Sequence, residues 1–189
     1  MRVLVKILIV LVCAVFVALA LTWLTVFHGA PGTVADGPWR TSLLTGSAKG
    51  GPYLRASIAL HGLFALNRGE TLYYTANTDS EGKDLDGNCI YHIVGREPAA
   101  RWWSITAYGG DDFLIDNTAN RYSVSKSSVA RHDDGSINIT AARHSNAKNW
   151  IALKGKFFSL TLRLYNPDPR VVADPRHADL PSINRAVCP

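Results

Sequence analysis

Cysteine is scarce, with three in 189 residues, which excludes a disulfide-dense miniprotein. Glycine and proline number 15 and 9 but follow no period, so neither a collagen-like chain nor a coiled coil is encoded, and no internal repeat is present. Lysines and arginines occur as singletons. Without a basic run to track a phosphate backbone, a net charge of +5 gives no case for nucleic-acid binding. The histidines, among them His61, His92, His132, His144 and His177, show no close pairing with one another or with cysteine and no H-E-x-x-H string, so no zinc site is expected. A G-x-S-x-G elbow, a G-x-G-x-x-G loop and a phosphate loop are all missing, and no cofactor is expected. Ser123 to Lys126 matches S-x-x-K, yet it falls in a strand-like stretch where that motif needs a helix start.

What remains is 47% hydrophobic and 19% charged, too apolar for disorder and long enough for one ordinary domain with a short appendage. The appendage is the first 27 residues. From Ile7 to Phe27 no charged residue occurs, and at 1.5 Å per residue that run reaches about 31 Å, the depth of a bilayer hydrocarbon core. Arg2 and Lys6 before it favour a cytoplasmic N-terminus, while Trp23 and Phe27 suit the far headgroup layer. Two readings stay open. A retained signal-anchor is favoured because Leu21 to Phe27 prolong the apolar run; a cleaved signal peptide is the alternative, since Ala18-Leu19-Ala20 has the small-x-small form of a cleavage site. Both export the rest of the chain. In an oxidising compartment Cys89 and Cys188 are expected to pair, with two buried thiols as the alternative, and Cys13 lies inside the span.

Residues 28–51, rich in Gly, Pro, Ser and Thr, read as a juxtamembrane spacer with ordered structure returning near Gly37-Pro38-Trp39-Arg40. The spacing of Tyr53, Leu54, Ile58, Leu60, Leu63 and Phe64 predicts a helix from Pro52 to Leu66 that includes His61. Beyond Glu70 the sequence turns to short β-branched and aromatic runs. Strands are predicted at Thr71–Asn77, Asn88–Val94, Arg101–Tyr108, Arg121–Lys126, Ser136–Ala141 and Phe157–Tyr165, broken by turn clusters such as Asp86-Gly87 and Asp134-Gly135. Few helices intervene, so the expected fold is mainly β: an antiparallel, jelly-roll-like sandwich over 52–189 with one helix, behind a single transmembrane helix at 1–27. The proline-rich tail from Asn166 is expected to pack as an extended strap.

Several short strings occur in an informative order: Asp79 with Gly82, Leu85-Asp86-Gly87, Tyr91, Arg101-Trp102-Trp103-Ser104 through Tyr108, Asp134-Gly135, Asn149-Trp150, and Leu162-Arg163-Leu164-Tyr165-Asn166-Pro167. Together, over about Leu54 to Pro167, they make the chain resemble the bacterial family catalogued as domain of unknown function 1214, often seen behind a partner, domain of unknown function 1254. The resemblance implies a jelly-roll-like domain in a bacterial envelope protein, and hence an inner-membrane anchor with an outward domain. It implies no activity, and no functional residue is carried over. The anchor here takes the place of the usual partner domain.

Strand alternation points to a candidate surface. Trp102, Ser104, Thr106 and Tyr108 share one face of their strand, and Thr161, Arg163 and Tyr165 one face of theirs. On a common sheet surface they would form a platform of rings, hydroxyls and one guanidinium, suited to a saccharide, a lipid headgroup or a protein partner. The alternative is that Arg163 merely pairs with Asp111 or Asp112. The loop Asp79 to Gly87 is rich in carboxylates but lacks EF-hand spacing, and reads as a polar turn with an irregular calcium site as the lesser option. Carboxylates from Asp79–Asp86 and Asp111–Asp116, such as Glu81 and Asp111, would serve a glycan hydrolase only if they faced each other across a cleft. Asn138-Ile139-Thr140 is formally a glycosylation sequon. The leading reading is a non-enzymatic, membrane-anchored binding protein, with a hydrolase and a purely structural envelope protein as rivals.

Overall fold

The computed structural model describes residues 2–28, 32–47, 49–60 and 66–188. The first element, α1 (Arg2–His28), has a mean hydropathy of 3.1 over its apolar window and is long and apolar enough to cross a membrane, as an anchor or a signal sequence. Thr25 is accommodated there because its hydroxyl donates to the Leu21 carbonyl one turn back.

The stretch read as a spacer contains two strands, β1 (Thr33–Asp36) and β2 (Trp39–Ser42), which pair antiparallel around Gly37, whose φ of 57° suits glycine. Then comes α2 (Pro52–Leu60), opening on the expected proline; His61, Leu63 and Phe64 of the predicted helix lie outside the described residues. All six predicted strands form, as β3 (Thr71–Ala76), β4 (Ile90–Arg96), β5 (Ala100–Gly109), β6 (Ser123–Ser125), β7 (Ser136–Ala142) and, after the short β8 (Trp150–Ala152), β9 (Phe158–Pro167). The tail is more structured than a strap. It holds a one-turn helix, α3 (Pro169–Ala173), started by the Asp168 carboxylate accepting from the Arg170 N–H, and a last strand, β10 (Ser182–Val187).

The fold is mostly β, in two sheets. One has six strands in the order β1-β2-β3-β9-β5-β6, and the other four, β10-β4-β7-β8. Every named pairing is antiparallel except β7 with β8, which is parallel and makes the smaller sheet mixed. Alternation supplies the core. Leu72, Tyr74, Trp103, Ile105, Leu160, Leu162 and Leu164 from the large sheet meet Tyr91, Ile93, Ile137, Ile139, Ile151 and Ile183 from the small one in a single apolar cluster.

Long-range polar contacts fasten the tail across this core. Pro181 accepts from the Trp39 indole at 2.7 Å, Pro175 accepts from the Tyr74 hydroxyl at 2.9 Å, and Asp36 accepts from the Ala178 N–H at 2.9 Å. Cys188, just past β10, forms a disulfide with Cys89, just before β4. The free cysteine among the described residues is Cys13, in α1.

Candidate functional site

The register of the large sheet settles where the candidate residues stand. Across β5 and β9, Trp102 lies opposite Tyr165, Ser104 opposite Arg163, Thr106 opposite Thr161, and Tyr108 opposite Ser159. The two polar faces read from the sequence therefore belong to one sheet surface. On the other flank of β9, Tyr73 lies opposite Arg163 and Thr75 opposite Thr161, and Arg40 of β2 in turn faces Thr75. A polar row thus crosses five strands, Arg40, Thr75, Thr161, Thr106 and Ser123, with its backs filled by the buried leucines and isoleucines beneath.

This surface divides in two. At one end, above Thr75 and Thr161, it is roofed into an open cavity of about 600 Å³. Tyr108, Thr161 and Arg163 line it, together with Arg40, Tyr73, Thr75, Leu54 and Ile58 from α2, and Asp111 to Leu114 from the loop after β5. At the other end, Trp102 and Tyr165 pack with ring centres 5.3 Å apart and ring planes tilted by 60°, and the Trp102 indole donates to the Ser127 hydroxyl. Ser104 and Thr106 lie between, each only 7% exposed. Of the seven candidate residues, three face the cavity and four hold the sheet surface around it.

Among the described residues, no carboxylate pairs with Arg163. Its Nη2 donates to the Tyr108 hydroxyl at 2.7 Å, and its guanidinium lies 5.4 Å from that ring's centre, leaving further N–H groups to the half-open cavity. The alternative pairing with Asp111 or Asp112 does not form. Asp111 instead accepts from the Phe113 N–H, closing its own loop. Arg40, exposed on β2, has no ion-pair partner among the described residues.

The cavity residues the sequence reading missed come from three places. Tyr73 and Thr75 alternate with buried Leu72 and Tyr74, a signal visible in Thr71–Asn77. Arg40 lay hidden in a stretch read as spacer, and the α2 residues show only as an amphipathic pattern. The two carboxylate loops do not meet here: Asp111 and Asp112, consecutive on one rim, line the cavity, whereas Asp79, Glu81, Asp84 and Asp86 do not.

Several of the residues that carry the family resemblance make structural contacts. Asp79 accepts from the N–H groups of Glu81 and Lys83, so the acidic loop is a turn organised by its first carboxylate. The Tyr91 hydroxyl accepts from the Asp86 N–H at 2.8 Å. Gly87 passes so close to Gly155 that a Cβ would sit 2.7 Å from its carbonyl oxygen. Asn149, buried, bonds both backbone groups of Ala130 and the carbonyl of Asn138, tying three segments together.

A mostly β, two-sheet domain with this ordered set of scaffold residues defines a class, and the comparisons place the chain in it. The model of the family described as Protein of unknown function (DUF1214) matches residues 70–169, more than half of the 189. The chain belongs to that family. No curated protein matches it. Among solved structures it is similar to the VPA0106 protein from Vibrio parahaemolyticus, with 23% identity and a TM-score of 0.61 over 74% of this chain, a likeness of fold. The chain spans 36% of the length of that protein. A weaker likeness, 21% identity and a TM-score of 0.44 over 62% of this chain and 29% of the other, is to an uncharacterized protein from Burkholderia cenocepacia.

Proposed function

We propose that the chain is a single-pass, membrane-anchored envelope protein, N-terminus in the cytoplasm, whose outward, jelly-roll-like β domain binds a small polar ligand bearing hydroxyl or anionic groups, as a saccharide or a lipid headgroup does. The observation that carries this reading is the cavity above Arg163. It combines a concave site of about 600 Å³ with a guanidinium whose protein partner is a neutral hydroxyl. A cavity of that size holds a ligand of several hundred daltons, and a guanidinium free of carboxylates can give two parallel N–H donors to an incoming anion or diol. The tyrosine hydroxyls and the threonine row add donors and acceptors that fix orientation.

The test is thermal unfolding of the full chain in a non-ionic detergent, with and without envelope saccharides and phosphorylated polyols. A ligand present at a hundred times its dissociation constant stabilises the native state by about 2.7 kcal/mol, which for a domain of this size is a rise of about 5 to 10 °C. Arg163→Ala is expected to keep its fold and lose that rise. If every ligand that shifts the wild type shifts Arg163→Ala equally, the cavity is not the site.

A further inference from the structure

The walls of the cavity are chemically unlike its floor. The floor is the sheet, with Arg163, Arg40 and Tyr108 presenting donors. One wall is α2, whose Leu54 and Ile58 face the space and whose Leu60 is 59% exposed at its edge. Another part of the rim is the loop after β5, where Phe113 is 73% and Leu114 51% exposed. A soluble polyol has no use for such a rim, and leaving large side chains in water there is unfavourable unless something apolar covers them.

The same wall adjoins the membrane helix. The helix α2 packs against α1, and Val26, in the last turns of α1, is buried at 7% exposure while residues 2–24 of α1 are exposed. The contact is therefore at the C-terminal end of α1, where a spanning helix leaves the bilayer. An amphipathic cavity at that depth faces a ready source of amphiphiles. The floor favours an anionic headgroup, since neither Arg163 nor Arg40 has a carboxylate partner among the described residues, and they flank β3 on either side, with backbone positions about 12 Å apart across two strand spacings and a two-residue offset.

We propose that the cavity takes the headgroup of an anionic, hydroxyl-bearing glycerophospholipid from the adjacent leaflet, with the phosphate between Arg163 and Arg40 and the acyl chains along α2, Phe113 and Leu114. This rests on the binding reading above and names its ligand class. The cavity is headgroup-sized, so the chains remain at the rim. Asp111, exposed at that rim, is placed to accept from headgroup hydroxyls rather than to meet the phosphate.

The full chain in non-ionic detergent is titrated by calorimetry with dihexanoyl phosphatidylglycerol, with its deacylated headgroup glycerophosphoglycerol, with dihexanoyl phosphatidylcholine, and with neutral saccharides. Phosphatidylglycerol is expected to bind about ten-fold more tightly than the deacylated headgroup, the worth of roughly two buried methylenes. The exposed-site variant Arg40→Gln should weaken both phosphoglycerol ligands about five-fold or more, through loss of a charge-assisted contact. The double variant Phe113→Ser, Leu114→Ser should erase the advantage of the lipid and leave the affinity of the deacylated headgroup unchanged. Equal affinity for the lipid and its headgroup, or for phosphatidylcholine and phosphatidylglycerol, overturns the proposal while the binding reading stands. So does Arg163-dependent binding of a saccharide without any lipid binding. If none of the four binds, both readings fall.

Discussion

Asp79 and Arg185, 106 residues apart in sequence, meet with carboxylate Oδ2 and Nε at 3.0 Å and the Asp79 side chain 1% exposed. The contact is ionic rather than a well-directed hydrogen bond, because Oδ2 and Nε are not aligned for one. Arg185 spends its other groups on the Asp84 carbonyl and the face of Tyr91. Asp79→Asn keeps the shape and removes the charge, leaving a three-quarters buried guanidinium uncompensated. It is expected to cost about 2 to 3 kcal/mol, somewhat under the range for fully buried pairs, whereas the exposed Glu81→Gln costs less than about 0.5 kcal/mol. Urea denaturation of both variants measures the contrast; equal midpoints would show that the loop needs no internal charge. Calcium is expected to leave the midpoint unchanged, because the Asp79 oxygens are already committed.

The disulfide stands at the same end of β10. Closing Cys89 to Cys188 spans a sequence separation of 99, and a loop of that length restricts the unfolded chain strongly. Cys188→Ser is expected to lower stability by about 2 to 4 kcal/mol, and thiol reduction of the wild type should reproduce the loss in thermal unfolding. A reductant that leaves the melting temperature unchanged would show that β10 is held by its ladder and Arg185 alone.

How far the sequence could be read follows from where the stabilising contacts lie. Between Thr71 and Tyr165 every strand except β8 carries its own alternation and its own turn residues, and each of those is legible. The strands that were not are β1, β2, β8 and β10. They are three to six residues long and are held by partners outside themselves: Pro181 for Trp39, β7 for Trp150 to Ala152, and the distant Asp79 and Cys89 for the tail. The candidate site shows the same limit. The facing of Arg163 by Ser104 and Tyr73 depends on register, and the tyrosine that takes its N–H was in view as a platform member but not as its partner. Arg40 belonged to a segment whose glycine and prolines masked a hairpin.

That hairpin is a structural part of the domain. Trp39 is fully buried, and its indole donates to Pro181. Trp39→Phe is expected to cost about 1 to 3 kcal/mol by leaving that carbonyl unpaired, and Trp39→Ala about 3 to 5 kcal/mol by opening a cavity as well. Thermal unfolding distinguishes them, and near-ultraviolet dichroism reports the lost packing. If Trp39→Ala melts with the wild type, residues 28–51 are a dispensable linker.

Glu97 makes a charge-dependent contact at the edge of the core. Its carboxylate accepts from Arg131 at 2.7 and 3.0 Å and from the Trp103 indole at 3.0 Å, so it links the end of β4 to the loop before β7 and to the core. The Arg131 guanidinium is the main cause that holds this carboxyl below its ordinary value, with the indole helping and partial burial opposing. A depressed native pKa means that the contribution is fully present above the unfolded value, about 4.3, and is lost as pH falls through the native one. Glu97→Gln is therefore expected to lose about 1 to 2 kcal/mol at pH 7, discounted for the partial exposure of the pair, and to converge with the wild type in strong acid. Melting temperatures of the two proteins between pH 7 and pH 3 check this. A gap that stays constant over that range would mean that the carboxylate acts through shape and not through charge.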